Sequence, residues 1–204
     1  MAEGDVEQAI EALRAGRPVL LPTDTVYGLC ALPYRAAIVE RMYRVKGRDV
    51  GHPTALLAAT HNLLFECVPE LRGRAGVIAR AVLPGPYTLV LPNPARRFRW
   101  LTGTRPDTIG VRIPDLPERS RRVVDAVGCV AATSANAAGG PDPAALDDVP
   151  EEILVACGAV LGDGRLPGTP STVIDFTGRR PVVLREGAAP ADEAIARAEA
   201  AIGR

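Results

Sequence analysis

Lysine is almost missing from this 204-residue chain: of its 24 basic side chains one is Lys46 and the other 23 are arginine. Net charge is missing too, because 24 acidic residues balance the 24 basic ones. A chain with no broad positive field is not built mainly to coat nucleic acid or an anionic membrane, although a local basic site stays open to it. Long apolar runs are absent, and no window approaches the ~18 consecutive apolar residues of a membrane-spanning helix. The N-terminal MAEGDVEQAIEAL is acidic and amphipathic, unlike the cationic and then apolar start of a secretory signal. A cytoplasmic protein with no membrane contact is expected. Cysteine is sparse and scattered: Cys30, Cys67, Cys129 and Cys157 form no CxxC, and His52 and His61 are the only histidines. That spacing argues against a zinc site and for reduced, buried thiols. Neither histidine lies near a serine or cysteine suited to be its nucleophile, which disfavours covalent hydrolysis. GxxxxGKS/T and GxGxxG are both absent, so neither a P-loop nor a Rossmann site is available for a nucleotide.

What is present describes an ordinary globular chain, 47% hydrophobic and 24% charged. At this length folding buries about 70% of the surface the unfolded chain exposes, so no disulfide or structural metal is required. One domain over residues 1–204 is expected. The arginine excess reads as a coding bias that replaces lysine wherever any positive charge will do. A lysine that survives such a bias is either a chance survivor at the surface or marks a place where a compact ammonium and a planar guanidinium are not interchangeable.

Apolar periodicity places a first helix through AIEALRAG, capped by Asp5 and stopped at Gly16, and then a buried strand PVLLP from Pro18. A helix over 35–46 carries Ile38, Met42 and Val45 at helical spacing and ends at Gly47, so Lys46 sits at its C-terminus. The pattern further predicts a strand TALLAA, helices at 61–67 and 71–82, and strands at 87–91, 108–113, 129–133, 155–161, 171–176 and 182–184. Helices at 118–127 and 191–202 complete the set. Irregular alternation with adjacent strand pairs favours an α+β fold, one mixed twisted open sheet flanked by helices, over a strict parallel repeat. AAGGPDPAALDDVP, residues 137–150, is the strongest loop or linker candidate.

Four polar clusters stand where these elements end: PTDT (22–25), KGR (46–48), SAN (134–136) and PST (170–172). Loops at strand ends are where layered α/β architectures bind ligands, because the scaffold is rigid and backbone polar groups are free there. Each cluster alone is an ordinary turn or strand start. Together they supply hydroxyls, an amide and two cations with no nucleophile–base pair. That inventory suits phosphoryl or nucleotidyl transfer, which needs mainly positioning and charge stabilisation.

These residues carry a resemblance. In order along the chain, LLPTDTVYGL, RVKGR, PGPYTLVL, TIGVRIPDLP, TSAN, STVID and VVLREG are similar to motifs of the YrdC/TsaC family of threonylcarbamoyl-AMP synthases, over about residues 16–187. The resemblance implies a YrdC-like fold and a synthesis of threonylcarbamoyl adenylate and pyrophosphate from L-threonine, bicarbonate and ATP. Downstream threonylcarbamoyl transferase proteins then pass the group to an adenosine beside the tRNA anticodon. The family's Lys-x-Arg and Ser-x-Asn set falls on Lys46, Arg48, Ser134 and Asn136, which the resemblance makes the catalytic residues. It makes Thr25, Arg112, Ala132 through its backbone, and Ser171 the threonine contacts, with Arg112 suited to a two-pronged grip on the carboxylate. Arg48, Thr108, Ser134 and Arg185, with His52 and Asp142, become the ATP contacts. Mg²⁺ is expected to arrive with ATP, with no dedicated protein cage. Asp49, His52 and Leu116 depart from common family residues, so peripheral contacts are expected to differ. A paralogous branch of the same fold has lost both catalytic pairs; its RPVVLREG-like end is shared here, but both pairs are kept, which favours the synthase over a paralog that binds RNA or nucleotide without synthesis. The longer family members carry an extra C-terminal domain, which is not expected within these 204 residues.

A different class of function rests on Arg96, Arg97, Arg99 and Trp100, where basic side chains surround an aromatic that could stack on a base. A weak tRNA contact is expected there at most; in the plainer reading Trp100 packs on the domain and the arginines are solvated. Carbamoyl transfer to another acceptor is a further enzymatic alternative, since related domains occur within larger carbamoyltransferases.

Overall fold

Five residues, Thr108–Arg112, show how the chain separates a core from a site. Ile109 and Val111 are buried among helices, whereas Thr108, Gly110 and Arg112 line a cavity on the opposite face. This is the two-residue period of a strand with a different environment on each side. The computed structural model describes residues 2–203 and repeats that division across one nine-stranded sheet. The strands are β1 (Val19–Pro22), β2 (Tyr27–Ala31), β3 (Ala55–Ala58), β4 (Tyr87–Pro92), β5 (Thr108–Arg112), β6 (Cys129–Ser134), β7 (Ala159–Val160), β8 (Thr172–Asp175) and β9 (Val182–Arg185). Their spatial order is β7-β1-β2-β6-β3-β5-β4-β8-β9. The β7/β1, β3/β5 and β4/β8 pairs are parallel and the rest antiparallel, so the sheet is mixed, as expected.

Helices α2 (Ala36–Lys46), α3 (His61–Cys67), α4 (Gly73–Val82), α6 (Glu151–Ala156) and α7 (Ala191–Ile202) contribute Met42, Leu64, Ile78, Ile153 and Ala194 to one face. Helices α1 (Ala2–Arg14) and α5 (Glu118–Val127) pack on each other and cover the second face over β1, β2, β6 and part of β3. Beyond them the second face is a basin, floored in part by Gly28, Ala55, Gly110 and Ala132. Small side chains on adjacent strands leave the room that a ligand requires. Among the described residues no helix is long and apolar enough to cross a membrane.

Three expectations need correction. The first helix already includes Ala2, so Asp5 lies inside it and is not its cap; its carboxylate pairs with Arg119 of α5 at 2.7 Å. Gly16 does end that segment, at φ +73°. The expected strand at 155–161 is cut to two residues: Pro150 and the first-turn Glu151 and Glu152 start α6, which runs on through Val155 and Ala156, and only Ala159–Val160 pair with β1. Strand β2 was not anticipated. Its YGLCA has no β-branched residue, yet all five are buried against β1 and β6. Residues 137–150 are a loop with one short turn at Leu146–Asp148 and no domain boundary, because β7, β8 and β9 follow it in the same sheet.

Candidate active site

The turn between β1 and β2 is built by a hydroxyl. Thr23 Oγ1 accepts from the backbone N–H groups of Thr25 and Val26, both at 3.3 Å, and donates to the Val26 carbonyl at 2.7 Å. This local competition for backbone partners closes PTDT into a tight turn. The turn delivers Asp24 and Thr25 to Arg112 at the end of β5, whose Nη2 donates to the Asp24 carboxylate and, at 2.8 Å, to Thr25 Oγ1. Asp24 is held in turn by the Asp115 N–H at 3.2 Å. Burial lowers the pKa of the Arg112 guanidinium and the Asp24 charge works against that shift. An Nη2 group has two protons, and both are used here, so Arg112 does not present a free two-pronged fork. Its Nε is buried with no hydrogen-bond partner.

On the other flank, Gly47 caps α2 in the left-handed conformation at φ +65° and sends the chain back, leaving Lys46 on the last helical turn. Lys46 is 4% exposed. Its Nζ donates to the Ser134 carbonyl and to Asn136 Oδ1, both at 2.5 Å, with Ser134 Oγ at 3.3 Å. Ser134 Oγ also donates to Asn136 Oδ1 at 2.7 Å, and Asn136 Nδ2 reaches the Gly140 carbonyl at 2.5 Å. The SAN segment is therefore folded around the ammonium. Burial first, and then the neighbouring Arg48 charge, pushes the Lys46 pKa down to about 8 against the pull of Asp142. Arg48 extends past the helix end and donates to the Pro53 carbonyl at 2.7 Å and to Thr133 Oγ1 at 3.3 Å. Its Nε, like that of Arg112, is buried without a partner.

The third wall joins PST to the end of β9. Arg185 donates through Nε and Nη2 to the Ser171 carbonyl at 3.1 and 2.7 Å, and Ser171 Oγ lies 2.8 Å from Thr88 Oγ1 of β4. Gly187 allows the contact: a Cβ there would stand 2.2 Å from the Pro170 carbonyl oxygen, so no other residue fits without movement.

One cavity of about 400 Å³ connects these walls. Arg48, Thr108, Arg112, Ala132, Ser134, Ser171 and Arg185 line it. Lys46, Asn136 and Thr25 are buried just behind, touching Ser134 and Arg112. The exposed His52 and the half-buried Asp142 are not on the cavity wall, although the Asp142 charge is felt by Lys46. Sequence reasoning passed over Asp24, whose role needs the fold that sets β1–β2 beside β5, and Arg105, which lines the cavity and pairs with Asp175 at 2.8 Å. The Thr-Gly-Thr-Arg run before β5 was the available signal for Arg105. The guanidinium groups of Arg48, Arg105, Arg112 and Arg185, with several hydroxyls and a buried ammonium behind them, suit this cavity to an anionic, oxygen-rich ligand.

Trp100 is placed elsewhere. Its indole donates to the Pro33 carbonyl at 2.7 Å and its ring meets Phe98 edge-on, while Arg97 pairs with Glu70 at 2.6 Å. The ring is engaged in packing, as the plainer reading of that segment expects.

A family model for Sua5, YciO and YrdC proteins, described as telomere recombination, matches residues 11–187. The chain is 35% identical over 193 residues to a threonylcarbamoyl-AMP synthase of Pyrococcus abyssi, covering 94% of this chain and 56% of that protein. It is 34% identical over 181 residues to one of Shigella boydii, covering 85% of this chain and 92% of the relative. Among solved structures, P. abyssi Sua5 complexed with L-threonine superposes with a TM-score of 0.83 at 34% identity, over 97% of this chain and 57% of that one. Escherichia coli YciO superposes at 0.79 with 27% identity, over 96% and 94%. By its sequence over most of its length and by its fold, the chain belongs to the Sua5/YciO/YrdC family.

Proposed function

We propose that the chain is a threonylcarbamoyl-AMP synthase acting in the cytoplasm, a nucleotidyltransferase that joins L-threonine, bicarbonate and ATP. The observation that carries this reading is the single cavity into which two flanks converge: the Lys46–Ser134–Asn136 clamp with Arg48 on one side, and Arg112 with Ser171 on the other. One flank suits phosphates and the other a small zwitterion. The naming of the relatives and the threonine in the Sua5 structure point the same way.

In this mechanism the threonine amine attacks bicarbonate with loss of water, or CO₂ released from it with loss of an amine proton, to give a carbamate. A carbamate oxygen then attacks the α-phosphorus of ATP and expels pyrophosphate, with no protein nucleophile. Arg112 offers the threonine carboxylate the donors that Asp24 and Thr25 leave free, with the Ala132 backbone and Ser171 completing that subsite. Arg48, Thr108, Ser134 and Arg185 hold the nucleotide, with His52 and Asp142 at its outer edge. Lys46, shielded from water, stabilises charge that builds on the carbamate and phosphates, while Asn136 fixes the ammonium's direction. Among the described residues no three histidine, cysteine or acidic side chains stand together as a metal-ligand set. Mg²⁺ is proposed to come with ATP, held mainly by its phosphates and water, where it would neutralise phosphate charge. The adenylate would pass to threonylcarbamoyl transferase proteins that modify tRNA.

The reading is tested by incubating the protein with ATP, threonine and ¹³C-bicarbonate and weighing the nucleotide product. A threonine adduct of AMP heavier by one mass unit than with ordinary bicarbonate is expected. ATP binding with no such product would instead favour a paralog that binds nucleotide without synthesis.

A further inference from the structure

The second concavity of the molecule, an open groove of about 820 Å³, lies away from the cavity and is lined in part by Tyr34, Glu66, Cys67 and Trp100. All four cysteines are free thiols, and one of them, Cys67, lines this groove. Cys67 ends α3 and is half-buried, whereas Cys129 starts β6 and is buried beneath it. The Tyr34 hydroxyl stands 3.7 Å from Cys67 Sγ and accepts from the Cys129 N–H at 3.4 Å, and its own proton also has the Val127 carbonyl within reach at 3.2 Å. The Cys129 thiol donates to the carbonyl of Leu63, one turn before Cys67 on α3, at 3.7 Å. Hydrogen bonding from Cys129 is the main cause that lowers the Cys67 pKa to about 7; Tyr34 adds to it, while desolvation and the Glu66 charge oppose it. The same contact, with burial, raises the Cys129 thiol. Cys30 and Cys157 are each pushed up to about 12 by burial. One sulfur of the four thus combines access with nucleophilic character, and a second thiol waits beside it.

We propose that Cys67 and Cys129 form an oxidation site for a hydroperoxide, with Cys67 the attacking sulfur and Cys129 the resolving one. The Cys67 thiolate attacks the terminal oxygen of the hydroperoxide; the S–O bond forms, the O–O bond breaks, and the departing alkoxide or hydroxide takes a proton to give alcohol or water. Cys67 is then a sulfenic acid. The Cys129 sulfur attacks it, the S–O bond breaks, and the released hydroxide takes the Cys129 proton to leave as water. Two thiols lose two electrons to one peroxide bond and a disulfide joins α3 to β6. The groove supplies entry for the peroxide, and the buried position of Cys129 lets it react only with a partner already at hand.

The test treats the full chain at neutral pH with a few equivalents of hydrogen peroxide, blocks remaining thiols after unfolding, and maps the peptides by mass spectrometry. The expected result is a loss of two mass units, a Cys67–Cys129 cross-link that dithiothreitol reverses, and unmodified Cys30 and Cys157. Cys129→Ser should stop at a Cys67 sulfenic acid that dimedone traps, and Cys67→Ser should give no cross-link. A cross-link between other cysteines, Cys67 oxidised to sulfinic acid with Cys129 still reduced, or four thiols that survive unchanged would each overturn the proposal. The unsubstituted protein alone separates these outcomes, so a variant that folds poorly does not obscure them.

Discussion

Replacing Lys46 by arginine keeps a positive charge and changes its shape, which makes it the sharpest probe of the ammonium clamp. The Nζ contacts to the Ser134 carbonyl and Asn136 Oδ1, both 2.5 Å, leave no slack for a wider group. A planar guanidinium adds volume where the side chain is 4% exposed, and overpacking of that kind costs about 1–3 kcal/mol of stability. For a chain of this size each kcal/mol lowers Tm by about 2–4 °C, so Lys46→Arg should melt several degrees below the parent and still fold. The catalytic loss should be larger. The variant cannot aim a compact charge between Ser134 and Asn136, and loss of one preorganised electrostatic contact costs about 3 kcal/mol, or ~100-fold in turnover. The assay pairs thermal unfolding with pyrophosphate release at saturating substrates. Parental turnover in a folded Lys46→Arg protein would refute the clamp and reduce the lone lysine to chance survival.

The depressed Lys46 pKa predicts a pH profile: kcat/KM for ATP should fall on the alkaline side with an apparent pKa near 8, and Lys46→Arg should remove that limb. The sign for stability is the reverse, because the unfolded chain holds more protons between about 8 and 10.5 and this group therefore favours the fold increasingly as pH rises through that window, which thermal scans across the range would measure. Asp24→Asn removes one charge from an ion pair whose side chains are 12% and 10% exposed; a cost toward the lower end of ~3–5 kcal/mol is expected because Asn keeps an acceptor for Arg112. Threonine KM should rise in that variant while ATP KM stays put, and unchanged Tm and KM values would contradict the role given to the pair. Gly187→Ala places a Cβ against the Pro170–Thr172 backbone, so it should cost about 1–3 kcal/mol and raise substrate KM by shifting Ser171, read by unfolding and by steady-state kinetics.

The parts of the fold legible in the sequence are those where local pattern and tertiary environment agree. Helix α2 is such a case: Met42 and Val45 keep a helical period, Gly47 supplies the left-handed stop, and the expected end at Lys46 is the observed one. Strand β5 is another, its alternation of Ile109 and Val111 with Thr108 and Arg112 matching core and cavity. Strand β2 was hidden because YGLCA has no β-branched residue and one of its two partners, β6, lies about a hundred residues away. The run at 155–161 misled at its start: Val160 is in β7, but Val155 belongs to the helix that Pro150 and two glutamates had already started. For the site, the four polar clusters converge on one cavity and its rear wall as their strand-end positions suggested. What pattern could not supply was pairing: that Asp24 would occupy Nη2 of Arg112, or that Arg105 would reach the cavity while bound to Asp175, follows from strand order.

The central claim is that carbamate formation precedes adenylation in this cavity, and pyrophosphate release tests it most directly. The rate is measured with ATP, threonine and bicarbonate together, then with threonine omitted, and then with bicarbonate and dissolved CO₂ rigorously removed. The account predicts collapse in both omissions. A rate unaffected by removal of bicarbonate would contradict it and mark the reaction as direct activation of an amino acid carboxylate.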